Sequence, residues 1–229
     1  MRTGILANSL PAALKIYDEL KTVPDCETFI LLCPTPGESR TRGLFKHVAR
    51  VLLKRGGLRS MRLVFSGRVF LFQKPLDHPA TLRRLKALNL DVGLHKAGII
   101  YREPTINCFH LGILNAHIGI LPSYRGRNVM EWALIEGGPV GVTVFFIDSG
   151  IDTGNRIVFS EEVDISRFGS IAQARQHLFD LDAVCFRRAL ELLRSRDFEF
   201  KLNDGSGRRY YVMSRLFQGV VEKLIEANH

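Results

Sequence analysis

The sequence of 229 residues lacks several features that would place it in a familiar class. No apolar run approaches the roughly 20 residues that span a bilayer, so we expect no membrane segment. Its four cysteines are scattered without a C-x-x-C pair, which favours reduced thiols over a disulfide framework or a metal site. No G-x-G-x-x-G follows the first expected strand, which argues against a dinucleotide cofactor. The first residues do not have the form of a signal peptide, and we expect a cytoplasmic protein.

Positive charge is in excess, with a formal net charge of +9. Much of this excess lies in residues 42–68, a basic run without the interleaved aromatic residues that stack on bases. We interpret the run as a solvated helix face, with attraction of an anionic small substrate as the alternative. We therefore do not expect a nucleic-acid partner.

The apolar pattern alternates strands and helices from the N-terminus. This order predicts an α/β fold with a Rossmann-like, mostly parallel twisted sheet of about seven strands and helices on both faces. We predict a catalytic domain over 1–200 and a short strand and helix extension over 201–229 that packs on the same domain. The strands are expected at 2–7, 28–33, 69–72, from 92 onward, 156–165 and 209–213. The helices are expected at 10–21, 42–55, 78–88, 128–136, from 170 to 192 and at 215–227.

Residues 105–155 carry the clearest chemical pattern. They are typical of a strand, a polar turn, a helix, a second strand and an acidic loop. Asn115 and His117 are two residues apart near the end of the first strand, so both project from one face. Asp152 lies on the loop after the second strand, and such loops converge on one crevice in an α/β sheet. An amide, an imidazole and a carboxylate suit attack by a nitrogen nucleophile on a carbonyl carbon.

Two blocks of this stretch resemble the signature of a known family. Residues 115–126, NAHIGILPSYRG, resemble the N-x-H-x-(S/G)-x-L-P-x-aromatic-(R/K)-G signature of the 10-formyltetrahydrofolate-dependent formyltransferases. Residues 141–144 (GVTV) and 148–154 (DSGIDTG) resemble the family's second block. Ile120 stands where the family usually has a leucine. The resemblance is strong over residues 92–160.

The resemblance implies transfer of a formyl group from 10-formyltetrahydrofolate, a co-substrate, to an amine without a metal. It implies that Asn115 and His117 donate hydrogen bonds to the oxyanion that forms on the formyl oxygen, and that Asp152 carries the proton. It also implies a set of residues around the pterin of the folate, mainly through their backbone. They are Gly98, Ile99, Ile100, Tyr101, Leu121, Asp148, Ser149, Gly150 and Ile151. For Asp148, a turn-forming role is an equal alternative.

The resemblance narrows the choice of acceptor amine. Methionyl-tRNA formyltransferases carry an additional C-terminal barrel, for which few residues remain here. Glycinamide ribonucleotide formyltransferases hold a phosphate with a glycine-containing turn, whereas residues 7–11 contain no glycine. We therefore expect an amino-deoxysugar linked to a nucleoside diphosphate. The residues expected to bind it are Ser9, Arg125, Arg127 and Tyr210.

The sequence leaves several alternatives open. Tyr210 either stacks on a nucleobase or packs into the protein. The acceptor is alternatively glycinamide ribonucleotide or another small amine, and a formyltetrahydrofolate hydrolase would use water. A protein that binds folate or a nucleotide without catalysis is the alternative from a different class. A homodimer is compatible with the sequence.

Overall fold

A computed structural model describes residues 1–33, 62–150, 152–195 and 198–227. It confirms an α/β fold with a large, mostly parallel sheet. By internal packing the chain divides into two compact units, Met1–Leu114 and Asn115–His229. The division into 1–200 and 201–229 stays a prediction. Within the described residues, no helix is both long and apolar enough to cross a membrane. Most of the basic run, and the helix expected at 42–55, lie outside those residues.

The first unit is built on parallel strands. Its strands are β1 (Arg2–Ala7), β2 (Glu27–Leu32), β3 (Val69–Leu71), β4 (Leu90–Lys96) and β5 (Phe109–His117), the last of which continues into the second unit. Its helices are α1 (Leu10–Leu20), α2 (Pro79–Ala87) and α3 (Glu103–Ile106). The strand order is β3-β2-β1-β4-β5, and every neighbouring pair in this order is parallel.

The chain reverses its direction of progress across the sheet at β1. It passes outward from β1 through β2 to β3 and returns to β4 on the other side of β1. This path brings the carboxyl ends of β1 and β4 together, with Ala7 paired to Lys96. Open α/β sheets bind ligands in the crevice at such a reversal.

The second unit combines antiparallel strands with a small separate ribbon. Its further strands are β6 (Tyr124–Gly126), β7 (Gly141–Phe146), β8 (Arg156–Glu162), β9 (Lys201–Leu202) and β10 (Arg208–Tyr210). Its helices are α4 (Val129–Glu136), α5 (Ile171–Asp180), α6 (Asp182–Leu193) and α7 (Arg215–Ala227). β8 pairs antiparallel with both β7 and β9, whereas β6 and β10 form a two-stranded parallel ribbon.

Several elements differ from the sequence prediction, among them β9, which was not expected. Residues 103–106 form α3 where a strand was expected from 105, because Pro104 occupies the first turn of the helix, where a missing N–H costs little. The expected polar turn contains β6, whose partner lies far along the chain. The single helix expected after Ser170 is instead two helices, α5 and α6, that meet at Leu181.

Candidate active site

The carboxyl end of β5 presents Asn115 and His117 on the same face, as the strand period requires. The His117 side chain is only 8% exposed, whereas Asn115 is half-buried. Within the described part of the chain, the Asn115 side-chain amide makes no hydrogen bond. This amide is therefore available to a bound molecule.

A main-chain carbonyl fixes the His117 ring. Nε2 of His117 lies 2.9 Å from the backbone oxygen of Tyr124. A carbonyl oxygen only accepts hydrogen bonds, so Nε2 carries a proton and donates it. Gly119 leaves room for this contact, because a Cβ at that position would lie 2.8 Å from His117 Nε2 and 2.7 Å from the Tyr124 oxygen. Nδ1 is then the ring atom left to face a carboxylate or a ligand.

Asp152 provides the carboxylate that faces this nitrogen. Its Oδ2 lies 3.6 Å from His117 Nδ1, within ion-pair range but longer than a hydrogen bond, and the Asp152 side chain is 13% exposed. The same oxygen accepts a hydrogen bond of 3.0 Å from the Gly126 amide. The structure thus brings together His117 and Asp152, which are 35 positions apart in the sequence.

The short strand β6 supports both members of this pair. Its Tyr124 carbonyl holds the imidazole and its Gly126 amide holds the carboxylate. β6 is in turn held by β10, since Arg127 N donates to the Tyr210 carbonyl at 3.1 Å. Gly126 has a φ of +110°, and a Cβ there would collide with that carbonyl. The sequence does not reveal this support, because no local pattern links residues 124–126 to residues 208–210.

Asn203 supports the Asp152 loop from the same C-terminal segment. Asp152 has a φ of +52°, which is uncommon for a residue other than glycine. The buried Asn203 side chain donates hydrogen bonds to the carbonyl oxygens of Asp152, at 3.4 Å, and of Gly154, at 3.1 Å. A single asparagine in a polar segment carries no sequence signal, so Asn203 was not predicted.

Thr143, the threonine of the second sequence block, has a structural role. Its hydroxyl is buried, donates to the Gly119 carbonyl at 2.7 Å and accepts from the Leu121 amide at 3.1 Å. β7 is thereby tied to the segment that follows His117. The Leu121 side chain packs with Phe145 and Ile157 in an apolar cluster.

A family model described as Formyl transferase matches residues 71–190, which is more than half of the chain. The matched region contains Asn115, His117 and Asp152. This chain belongs to the formyl transferase family.

Curated proteins of the same family resemble part of this chain. The methionyl-tRNA formyltransferase of Syntrophus aciditrophicus (strain SB) is 30% identical over 148 residues, which cover 64% of this chain and 47% of the relative. The chain spans less than half the length of the first curated relatives it matches.

The solved structures match over nearly the whole chain. A sugar N-formyltransferase from Shewanella sp FDAARGOS_354 has a TM-score of 0.64 and 16% identity, covering 98% of this chain and 87% of that one. The formyltransferase PseJ from Anoxybacillus kamchatkensis, in complex with UDP-4,6-dideoxy-4-formamido-L-AltNAc and tetrahydrofolate, has a TM-score of 0.55 and 19% identity, covering all of both chains. At identities of 16% and 19%, this structural likeness establishes the fold alone.

In this formyl transferase family member, the acidic loop forms its own turn. Asp148 Oδ1 accepts hydrogen bonds from the Gly150 amide at 2.9 Å and from the Thr153 hydroxyl at 2.7 Å. The turn-forming alternative therefore describes the Asp148 side chain. Ser149 and Gly150 are exposed in the same turn, and Ile151 lies outside the described residues.

The remaining residues expected at the folate lie in the first unit, after β4. Gly98 has a φ of +62°, and Ile100 is exposed while Ile99 is half-buried. Tyr101 is buried, with its hydroxyl 2.8 Å from Nδ1 of His95. Burial raises the pKa of Tyr101 well above its usual value, so the phenol stays neutral.

Ser9 lies after β1, the strand next to β4 in the sheet. It follows β1 and begins α1 as its N-cap residue, yet its side chain makes no capping hydrogen bond. Because Ala7 and Lys96 are paired, the segments that carry Ser9 and Gly98 leave the sheet from adjacent strands. The first unit therefore brings these two expected binding segments to one edge.

The other residues expected at the acceptor lie on the ribbon of β6 and β10. The Arg125 Nε is buried and has no hydrogen-bond partner among the described residues, and Arg127 is exposed. Tyr210 is buried, with its ring stacked 5.5 Å from that of Tyr124 and its hydroxyl donating to Glu136 at 2.6 Å. The packing alternative therefore describes the Tyr210 side chain in this structure.

The four cysteines lie in separate places in the fold. Cys26 is half-buried, and Cys33, Cys108 and Cys185 are buried, all as free thiols. Within the described residues, no three His, Cys, Asp or Glu side chains are grouped so as to hold a metal ion.

Proposed function

We propose that this protein transfers a formyl group from 10-formyltetrahydrofolate to the primary amine of an amino-deoxysugar linked to a nucleoside diphosphate. The observation that carries the proposal is the pairing of His117 Nδ1 with Asp152 at 3.6 Å, on a face that also carries Asn115. Membership of the formyl transferase family supports the reaction class. Likeness over 98% of the chain to a sugar N-formyltransferase supports the choice of acceptor class.

Asn115 and His117 are the proposed donors to the oxyanion. Attack of the amine on the formyl carbon places a negative charge on the formyl oxygen, and donors already aimed at this oxygen lower the barrier. In the part of the chain that the structure describes, the Asn115 amide has no hydrogen-bond partner. Since His117 Nε2 already donates to Tyr124, His117 donates through Nδ1 when the ring carries both protons. The adjacent Asp152 carboxylate stabilises that positive ring by Coulomb attraction.

Asp152 is the proposed proton carrier. The attacking nitrogen forms a bond to the formyl carbon and loses a proton, which passes to Asp152 directly or through one water. When the tetrahedral intermediate collapses, the bond between this carbon and the folate N10 breaks and the proton passes to N10. The products are the formamide and tetrahydrofolate, and Asp152 regains its charge.

The folate is proposed to lie against Gly98–Tyr101, Leu121 and the loop at 148–151, mainly through main-chain groups. The tetrahydrofolate in the Anoxybacillus kamchatkensis complex supports a folate co-substrate. For the acceptor we retain Ser9, Arg125 and Arg127. Among the described residues the buried Arg125 Nε has no hydrogen-bond partner, which suits the diphosphate because a guanidinium pairs well with phosphate oxygens.

A methionyl-tRNA acceptor is the second candidate. It is favoured by the curated relatives, which are named methionyl-tRNA formyltransferases. The net charge of +9 would also suit a polyanionic partner. The two acceptors are separable because binding of tRNA weakens steeply with salt, whereas binding of a small diphosphate neutralises few charges.

The test is turnover of 10-formyltetrahydrofolate, followed by folate absorbance, with a panel of acceptors. The panel contains aminodeoxysugar nucleotides, glycinamide ribonucleotide, initiator methionyl-tRNA and water alone. We expect turnover to depend on an aminosugar nucleotide. Dependence on tRNA or glycinamide ribonucleotide instead would overturn the acceptor, and turnover in water alone would indicate a hydrolase. Folate binding without turnover of any acceptor would indicate a binding protein.

A further inference from the structure

The carboxylate of Glu136 joins the two strands of the β6–β10 ribbon through their tyrosines. Tyr124 of β6 and Tyr210 of β10 are both buried, and their rings stack with centroids 5.5 Å apart and 25° between the planes. The Tyr210 hydroxyl donates a hydrogen bond of 2.6 Å to Oε2 of Glu136. The Tyr124 hydroxyl also bonds to Glu136, and burial, followed by the Glu136 charge and this bond, raises the pKa of Tyr124. One carboxylate therefore serves a phenol of each strand.

Glu136 is the last residue of α4, and the turn after it leaves room for these phenols. Gly137 ends the helix with a φ of +67°, and a Cβ at Gly138 would collide with the Tyr124 hydroxyl. An acidic side chain at the C-terminal end of a helix opposes the helix dipole. The charge of Glu136 therefore does not stabilise α4, whereas it does stabilise the hydrogen bonds to the ribbon.

The backbone of the same ribbon holds the proposed catalytic pair. The Tyr124 carbonyl accepts a hydrogen bond of 2.9 Å from Nε2 of His117, and the Gly126 amide donates one of 3.0 Å to Asp152. The side chain of Tyr124 thus meets Glu136 while its carbonyl meets His117. A displacement of β6 would change the contacts of both members of the pair.

The position of β6 also determines which nitrogen of His117 keeps its proton when the ring is neutral. The Tyr124 carbonyl favours the proton on Nε2. The Asp152 carboxylate, 3.6 Å from Nδ1, would accept a proton carried on that nitrogen instead. If the carbonyl moved away, the proton would pass to Nδ1, because the charged carboxylate is then the stronger acceptor within reach.

We propose that Glu136 is a positioning residue for formyl transfer, which holds the hydroxyls of Tyr124 and Tyr210 and so fixes β6 where its carbonyl keeps the proton of neutral His117 on Nε2. The proposal rests on the proposed catalytic roles of His117 and Asp152. Glu136 lies outside both blocks that resemble the family signature, and it is exposed. It acts through the ribbon and not on the substrate.

The first experiment reads the protonation of His117 without using turnover. The full chain is labelled with ¹⁵N-histidine and studied by NMR at a pH high enough for a neutral ring, and the His117 signals are those absent from His117→Gln. We expect the wild type to carry the proton on Nε2. Glu136→Ala is expected to move it to Nδ1 in a large fraction of molecules. Glu226→Ala is the control, because it removes an exposed glutamate near the end of α7 and should keep the wild-type protonation.

The second experiment measures kcat and KM with the acceptor that supports turnover. Glu136→Ala is expected to lower kcat by about 10-fold to 100-fold, because small misplacements of catalytic groups cost rates of this order. The KM for the folate should change little. Glu136→Gln keeps one acceptor oxygen in place of two and should lie between the wild type and Glu136→Ala. Combined with Tyr210→Phe, Glu136→Gln should cost less than the sum of the two single losses, because both act on one hydrogen bond.

The outcomes separate a positioning role from a structural one. A Glu136→Ala protein that keeps the His117 proton on Nε2 overturns the proposal, even if it unfolds at a lower urea concentration, since lost stability alone shows only a structural contact. A wild type with the proton on Nδ1 overturns it as well. Absence of turnover by the wild type with every acceptor counts against the proposed function, and the NMR result still decides the role of Glu136.

Discussion

His117 Nε2 lies 2.9 Å from the main-chain oxygen of Tyr124, and this contact determines which ring nitrogen remains for chemistry. The carbonyl accepts a proton from Nε2, so Nδ1 is the atom that faces Asp152. Both Tyr124 and Gly126 act through their backbone. The orientation of the proposed catalytic pair therefore depends on where β6 lies, which β10 helps to fix.

Removal of the carboxylate charge at Asp152 is expected to lower turnover strongly without unfolding the protein. Asp152→Asn keeps an oxygen that accepts the Gly126 amide but cannot carry the proton. We expect formyl transfer to fall by about 10²–10⁴-fold, the usual contribution of general acid–base catalysis. Asp164→Asn is the control, since Asp164 is an exposed carboxylate that also accepts a backbone amide, from Ser166. Near wild-type turnover by the Asp152 variant would refute the assigned role.

Asn203→Ala is expected to loosen the loop that carries Asp152. The substitution leaves the carbonyl oxygens of Asp152 and Gly154 without their side-chain donor. Loss of a buried partner of this kind costs about 1–3 kcal/mol in the free energy of unfolding. Urea denaturation measures the loss, and turnover should fall as well. Ser206→Ala, at an exposed position in the same segment, is the control. It should leave the free energy of unfolding within about 0.5 kcal/mol of the wild type and should leave turnover unchanged.

Tyr210→Phe is expected to destabilise the protein at pH 8 but much less at high pH. Burial, followed by the hydrogen bond to Glu136, raises the pKa of Tyr210 to about 12. In the unfolded chain a tyrosine has a pKa of about 10. The raised pKa means that this stabilisation is fully present below about pH 10 and is lost as pH rises toward 12.

The measurement is urea denaturation of both proteins from pH 8 to 11. The wild type should exceed the variant by about 1–3 kcal/mol at pH 8, and this difference should shrink above pH 10. Tyr211→Phe is the control, because the Tyr211 side chain is exposed. A difference that stays constant with pH would contradict the role of the Tyr210 hydroxyl.

The buried thiols are expected to resist alkylation in the folded protein. The thiolate is the reactive form of cysteine, and burial raises the pKa of both Cys33 and Cys185 to about 12. Cys108 is also buried and its pKa is raised, whereas Cys26 is half-buried. Iodoacetamide at pH 7.5 should therefore modify Cys26 alone in the native state and all four cysteines in urea. Mass spectrometry counts the adducts, and a second native adduct would contradict the burial.

Local patterns were sufficient for most of the elements. The apolar runs of β1 and β2, the strand period at β5 and the extent of α7 are visible in the sequence because each depends on neighbours within a few positions. α3 was missed because a helix of four residues has too few positions to show a period. β6 and β10 were missed or misplaced because each is stabilised mainly by the other.

The sequence by itself determined the family signature, the α/β class and the choice of Asn115, His117 and Asp152 as candidate site residues. These depend on residue types and short spacings, which the order of amino acids states directly. Only the tertiary structure decided which nitrogen of His117 faces Asp152, that Asp148 and Tyr210 have structural contacts, and that Asn203 supports the Asp152 loop. Those relationships depend on hydrogen bonds between segments far apart in the chain, whose geometry no local pattern encodes.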